Sequence, residues 1–400
     1  MRRQMSPPPA QTMVRPITAG IVAGLVGFTG SFVVVLAGLT GVGASPVQAS
    51  SGLMTVSITM GITSILLGLW TRIPITVAWS TPGAALLAST GTVQGGWPAA
   101  VGAFLICGVL VVLTGLIPQL GDLIARIPAS IAQAMLAGIL LQLCLGPVTG
   151  LAHNPLGVAP IVIVWLVALR FWPRWSAPLA FLTAAIVIAV HVATSGRAIN
   201  PASLLPRLAL TTPTFTLTAM IGIALPLYLV TMASQNVAGA AVMKGLDYDV
   251  PWRASMLVTG VGTIIGAPSG GHAINLAAIS AALAAGPEAG PDRSRRWIAS
   301  VTWGVVAIVL GVSSAAFTTL VALAPVGVIA AVAGLALLST LAGSLKVALA
   351  QPEDLIPAII TFVTAASGIA IHGVSAAFWA LLAGLLVRFI LQMGRRRPAL

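Results

Sequence analysis

A chain of 400 residues that is 58% hydrophobic and only 6% charged, with 42 Gly and 27 Pro, excludes a soluble globular core. Its net charge of +12 does not imply a nucleic-acid partner, because the basic residues sit at the ends of apolar segments, where membrane topology explains them. Two cysteines, Cys107 and Cys144, both inside apolar segments, exclude a disulfide framework and a paired-cysteine metal site, and no cofactor is expected.

Residues 1–16 form a basic, proline-rich tail. The apolar stretch from Ile17 is too long for a signal peptide, so it is expected to stay as the first span. Apolar runs then predict spans over 17–40, 46–70, 74–90, 97–118, 128–146, 155–172, 175–194, 214–243, 251–266, 268–286, 297–323, 325–349, 355–371 and 374–393. These fourteen describe an all-α polytopic membrane protein. With both termini in the cytoplasm, 17 of the 19 Lys and Arg residues fall inside, all but Arg197 and Arg207. Those two belong to an external linker, residues 195–213, between seven spans in 17–194 and seven more in 214–393; residues 394–400 form a second basic tail. An odd number of spans per half inserts the second half upside down, as inverted repeats.

The third span of each half, segments 3 and 10 of the chain, is expected to be a short extended stretch followed by a half-helix. In the first half, Ile73, Ile75, Val77 and Trp79 suit a short extended segment, after which Ser80 or Thr81 caps a helix with Pro82 in its first turn. That helix, 82–90, reaches only about 13 Å. In the second half, Pro268, Gly270 and Gly271 interrupt the chain before a helix expected from His272 to Ala285, about 21 Å long against a hydrocarbon core of roughly 30 Å. Two half-helices entering from opposite faces point their electropositive N-termini at each other near the midplane, and Gly83, Ala84, Gly270 and Gly271 let backbone approach a ligand.

Polar groups inside spans are few and clustered. Ser234, Gln235 and Asn236 lie in the eighth span, and Phe28-Thr29-Gly30-Ser31-Phe32 occupies the equivalent depth in the first. His272 opens the second half-helix and is the candidate carrier of a coupled proton. His153, His191 and His372 lie near span ends, where interfacial roles are expected. The seven acids, Asp122, Asp247, Asp249, Glu288, Asp292, Glu353 and Asp354, fall at or beyond internal span ends, where they pair with basic residues or cap helices. A site of helix tips, amides and one His without carboxylates suits an anion. Phe28, Phe32, Trp79 and Tyr228 share its depth and can sandwich a flat ring.

Met232-Ala-Ser-Gln-Asn236, Gly270-Gly-His-Ala-Ile-Asn-Leu-Ala-Ala-Ile279, Gly286-Pro-Glu-Ala289 and Ala78-Trp-Ser-Thr-Pro-Gly-Ala-Ala85 together resemble the bacterial benzoate/proton symporter family, BenE-type, related to nucleobase/ascorbate transporters and sulfate permeases. The resemblance runs along nearly the whole chain. It implies seven plus seven inverted spans, with a core domain of spans 1–4 and 8–11 and a gate domain of spans 5–7 and 12–14. Ala238 and Ser269 stand where members often have Pro and Phe, and Gln235 and Asn236 stand where nucleobase relatives use a carboxylate.

The resulting expectation is proton-coupled uptake of benzoate or a similar aromatic carboxylate by a multi-pass protein of the bacterial inner membrane. Its substrate contacts are expected from Phe28, Thr29, Ser31, Ser80, Thr81, Pro82, Gly83, Gln235, Asn236, Gly270, Gly271, His272 and Asn275. A proton, the lipid bilayer and a second copy in a homodimer are the other expected partners. The rivals are a nucleobase or inorganic-anion transporter, a passive channel, and an intramembrane hydrolase using Ser269 and His272, which lacks an orienting acid.

Overall fold

The computed structural model describes residues 9–196, 200–371 and 374–395. Arg2, Arg3, Arg396 and Arg397 of the tails, Arg197 of the linker and His372 lie outside them. Apolar chain inside lipid satisfies its backbone by winding into helices, and this one does so throughout. In order these are α1 (Pro9–Thr29), α2 (Phe32–Gly41), α3 (Pro46–Thr71), β1 (Val77–Trp79), α4 (Thr81–Thr90), α5 (Gly96–Leu116), α6 (Pro118–Ala125), α7 (Ala129–Cys144), α8 (Gly146–His153), α9 (Pro155–Phe171) and α10 (Ser176–Ser195). The second half supplies α11 (Leu217–Ala219), α12 (Leu225–Thr231), α13 (Val237–Gly245), α14 (Trp252–Gly266), β2 (Ile274–Leu276), α15 (Ile279–Ala285), α16 (Trp297–Val312), α17 (Ser314–Ala322), α18 (Val328–Ala348), α19 (Leu355–Ala366) and α20 (Ala376–Arg395).

Among the described residues, 9 helices are long and apolar enough to cross a membrane. The other five expected spans fall on shorter elements: the strand-and-helix units β1–α4 and β2–α15, and the helices α9, α14 and α19. Three long spans carry breaks that the apolar runs did not announce. The first kinks at Gly30–Ser31, the eleventh at Ser313, and the eighth contains π-helical turns at Met220–Ala224 and Met232–Asn236.

Helix pairing is exchanged between the halves. The second span, α3, packs on α16 of the other half, and its counterpart α14 packs on α5. Both seams close on facing glycines. A Cβ on Gly304 would stand 2.5 Å from the Gly61 carbonyl oxygen, and one on Gly260 would stand 2.9 Å from that of Gly108. Small residues are what allow helices to meet this closely where lipid provides no hydrophobic drive. A second group of helices builds around α7, which packs on α18 and α19, with α9 on α10 and α19 on α20. In that group Asp354 accepts from Ser130 Oγ and from Arg388 Nε, each at 2.7 Å, joining α7, α19 and α20. The groups meet where α4 touches α7, α1 touches α10 and α2 touches α18.

Several acids pair as expected: Arg174 with Glu288, Lys244 with Asp249, Arg293 with Asp247, and Arg295 with Asp292. The described part of the linker crosses the protein as a strap. Ala209 N–H donates to Ser51 Oγ, Thr211 N–H to the Pro268 carbonyl, and Thr214 N–H to the Pro98 carbonyl.

Candidate functional site

At the centre lies a two-stranded antiparallel sheet, one strand from each half, with Val77 opposite Leu276, Ala78 opposite Asn275 and Trp79 opposite Ile274. Each strand is seated by a hydroxyl from the preceding span. Ser64 Oγ of α3 accepts the Val77 N–H at 2.8 Å, and Thr263 Oγ1 of α14 accepts the Ile274 N–H at 3.1 Å. Because the strands run antiparallel, α4 and α15 leave from opposite ends of the sheet, and the N-terminus of each helix faces back toward it.

The tip of α4 is closed by its own side chain. Ser80 is the N-cap: its Oγ accepts from Gly83 N–H at 3.1 Å and from Thr231 Oγ1 of α12 at 2.8 Å. A hydroxyl has two lone pairs and one proton. Both lone pairs are engaged, and the Ser80 proton has no acceptor among the described residues. Pro82 contributes no N–H, leaving Thr81 as the first free donor of the tip. Gly83 lets α4 pack closely on α12: a Cβ there would lie 2.4 Å from Leu227 Cδ1.

The second tip differs from the expectation. Helix α15 begins at Ile279 and not at His272, because residues 274–276 are claimed by β1 as a strand. Leu276 N–H donates to Asn236 Oδ1 at 2.9 Å and Ala277 N–H to the Thr76 carbonyl at 2.9 Å, bonds a helix from 272 would forgo. His272 therefore precedes the strand. It is 1% exposed, with Nδ1 against the Ala273 carbonyl, its ring 6.5 Å from Phe104, and Nε2 without a partner. Gly270 and Gly271 do not offer free N–H groups either, since these bond the Ala267 and Gly266 carbonyls. Gly270 takes φ 88° and lies against Trp97 and Gly52, a close approach of protein to protein. Asn275 is fully buried; its Nδ2 bonds the Leu276 carbonyl and its Oδ1 is unpartnered. At α15 itself the N-cap is Ala278, and no side chain caps the first turn.

Asn236 is spent on β2, with its Nδ2 3.1 Å from Met232 Sδ. Gln235 is half-buried and makes no hydrogen bond with any described residue. Both lie in the π-helical turn Met232–Asn236, a feature often found at functional sites. Sequence periodicity gave no sign of it.

Aromatic rings gather beside β1. Phe28 stacks on Phe32 at 5.6 Å and tilts against Trp79 at 5.2 Å, while Phe317 of α17 approaches both Phe residues of the first span at 5.1 and 5.0 Å. Phe181 of α10 meets Phe32 edge-on at 5.0 Å. Trp79 Nε1 donates to Ser31 Oγ at 2.9 Å, fixing its ring at the first-span kink. Thr29 turns back to the Leu25 carbonyl. Tyr228 is not part of the group; its hydroxyl pairs with Thr114 Oγ1 of α5 at 2.6 Å. Phe181 and Phe317 escaped the sequence reading because each sits alone in an apolar helix. Thus Phe28, Ser31 and Trp79 come together next to Ser80 in the chain, while Gly270 packs on Trp97 and His272 on Phe104.

The family model described as benzoate membrane transport protein matches residues 10–390. The chain belongs to the benzoate membrane transport protein family. It is 36% identical over 386 residues to the inner membrane protein YdcO of Escherichia coli (strain K12), covering 96% of each chain. It is 30% identical over 381 residues to the benzoate membrane transport protein of Acinetobacter baylyi, covering 93% of this chain and 94% of that one. Among solved structures, the transmembrane domain of the cyanobacterial bicarbonate transporter BicA aligns with a TM-score of 0.57 at 14% identity, over 95% of this chain and 98% of that one. SLC26A9 aligns with a TM-score of 0.60 at 16% identity, over 95% of this chain and 66% of that one. At such identities these two establish the fold. This benzoate-family member is accordingly a membrane transporter and not an enzyme.

Proposed function

We propose that this family member is a proton-coupled secondary active transporter that imports benzoate or a similar aromatic carboxylate across the bacterial inner membrane, with both termini cytoplasmic. Ser80 carries the reading: a buried hydroxyl at a half-helix tip, both lone pairs engaged by Gly83 and Thr231, has only its proton left to give. A carboxylate rewards such a donor, and the adjacent Trp79 and Phe28 rings suit the face of an aromatic acid. Gln235 and the first turn of α15 complete the cradle, and His272, with its unpartnered Nε2, takes the proton. The first five and the eleventh to seventeenth helices form a core that moves against a gate of α7–α10 and α18–α20, exposing the site alternately. The name of the Acinetobacter relative supports the substrate, and that of the Escherichia relative supports the membrane.

Labelled benzoate uptake into proteoliposomes tests the reading. An inward proton gradient is expected to drive accumulation that a protonophore abolishes, and His272→Ala to keep no more than about a tenth of the driven rate, the lower end of general acid–base effects being larger still. Uptake indifferent to an imposed pH gradient overturns the coupling. Equilibration without accumulation makes the protein a passive pore. Competition by uracil or sulfate, without competition by benzoate, reassigns the substrate.

A further inference from the structure

We infer that a cleft on the linker side of the protein is a second anion site, one that captures an organic carboxylate before it enters the membrane-embedded site. The inference rests on the reading above, that the substrate is an anion entering from the linker side.

The cleft has a volume of about 470 Å³, inside the roughly 300–1,000 Å³ range of small-molecule sites. The first turn of α3, the linker and α17 form its walls. Its polar lining comes from Ser50, Asn200, Ser203, Arg207, Thr318 and Thr319, and Val47 and Leu205 are among its apolar residues. That mixture matches a small acid with a hydrocarbon body.

Charge decides the sign of the guest. Arg207 is exposed and makes no ion pair or hydrogen bond with any described residue. None of the seven acids lines the cleft, and the linker, residues 195–213, contains none. The acids that do pair are taken by Arg174, Lys244, Arg293, Arg295 and Arg388. A guanidinium without a partner among the described residues offers a planar two-pronged donor to a carboxylate. The N-terminal end of α3 adds partial positive charge from the same wall.

Position links the cleft to the buried rings. Helix α17 lines the cleft with Ala315, Thr318 and Thr319, while its Phe317 packs against Phe28 and Phe32. One helix therefore separates the two places. Thr319 Oγ1 also donates to the Ser203 carbonyl at 3.1 Å, tying α17 to the linker at the cleft.

Initial uptake rates of labelled benzoate, measured against concentration and salt, test the proposal on the full chain in proteoliposomes. Arg207→Gln is expected to raise KM about fivefold at low ionic strength, the effect of one unit charge roughly 4 Å away in water, with kcat unchanged. It is also expected to flatten the rise of KM with added salt. Arg207→Lys restores most of the salt dependence. Leu205→Trp, filling the cleft from an exposed position, raises KM without reducing the thermal midpoint. Wild-type KM and salt slope in both Arg207→Gln and Leu205→Trp overturn the capture site while leaving the transporter reading intact. A wild-type protein that ignores benzoate but takes up another anion fails the substrate reading alone, and the same variants measured on that anion then decide the cleft.

Discussion

The two half-helices that face the central sheet have the same supports behind them and different tips. Behind each strand stands a hydroxyl of the preceding span, Ser64 for β1 and Thr263 for β2. At the front, α4 is capped by Ser80 and stiffened by Pro82, whereas α15, with Ala278 at its N-cap position, has no side-chain cap. One tip presents an oriented hydroxyl beside the free Thr81 N–H, and the other has left its first turn uncommitted by side chains. In the proposed binding mode, pseudo-symmetric construction with unequal ends gives the substrate one precise partner and one diffuse, electropositive one.

The sharpest way to break this comparison is at Ser80. Ser80→Ala removes the α4 cap and the unclaimed proton together, and benzoate kcat/KM is expected to fall about 100-fold, as for loss of one preorganised donor to a buried anion. Ser80→Ala uptake within twofold of wild type would place the substrate elsewhere. Next comes Asn236→Leu, which leaves the Leu276 N–H buried without its acceptor. An unmade bond of this kind costs about 1–3 kcal/mol, so the thermal midpoint of the purified protein should drop, while Asn236→Asp keeps the acceptor and most of the stability. A midpoint unchanged by Leu would mean that β2 does not depend on the eighth span. The smallest expected effect is the most discriminating. Ala278→Ser supplies α15 with the cap it lacks, a gain of about 0.5–2 kcal/mol in helix stability, and should weaken benzoate uptake a fewfold by competing for the first-turn N–H groups. Greater stability with unaltered uptake would show that the open tip is not used by substrate.

Much of this was legible in the sequence. The break before α4 was readable because Pro82 and Ser80 act locally, through a fixed φ and a cap, and because β-branched residues precede them. The apolar runs located the long helices for the same reason. What could not be read was anything that a distant residue decides. Ala273-Ile-Asn-Leu-Ala277 is as compatible with helix as with strand; the availability of Thr76, Thr263 and Asn236 as partners settles it, and these lie on other elements. The site followed the same rule. Ser80 was readable as a helix cap, but Thr231, which fixes its hydroxyl, and the rings of Phe181 and Phe317 carry no local mark. Asn236, Gly270 and Gly271 stand out in the sequence, and in the structure Asn236 Oδ1 and the two glycine N–H groups bond the protein's own backbone.

The exchanged glycine seams have a mechanical corollary. Since α3 leans on a helix of the second half, α14 leans on a helix of the first, and the central strands are bonded across the same boundary, the two halves are interlaced there. Parting them would tear three close-packed junctions at once. Any cycle that opens the protein first to one side and then to the other is cheapest when this woven block travels whole, past neighbours that touch it at α7, α10, α18 and α20.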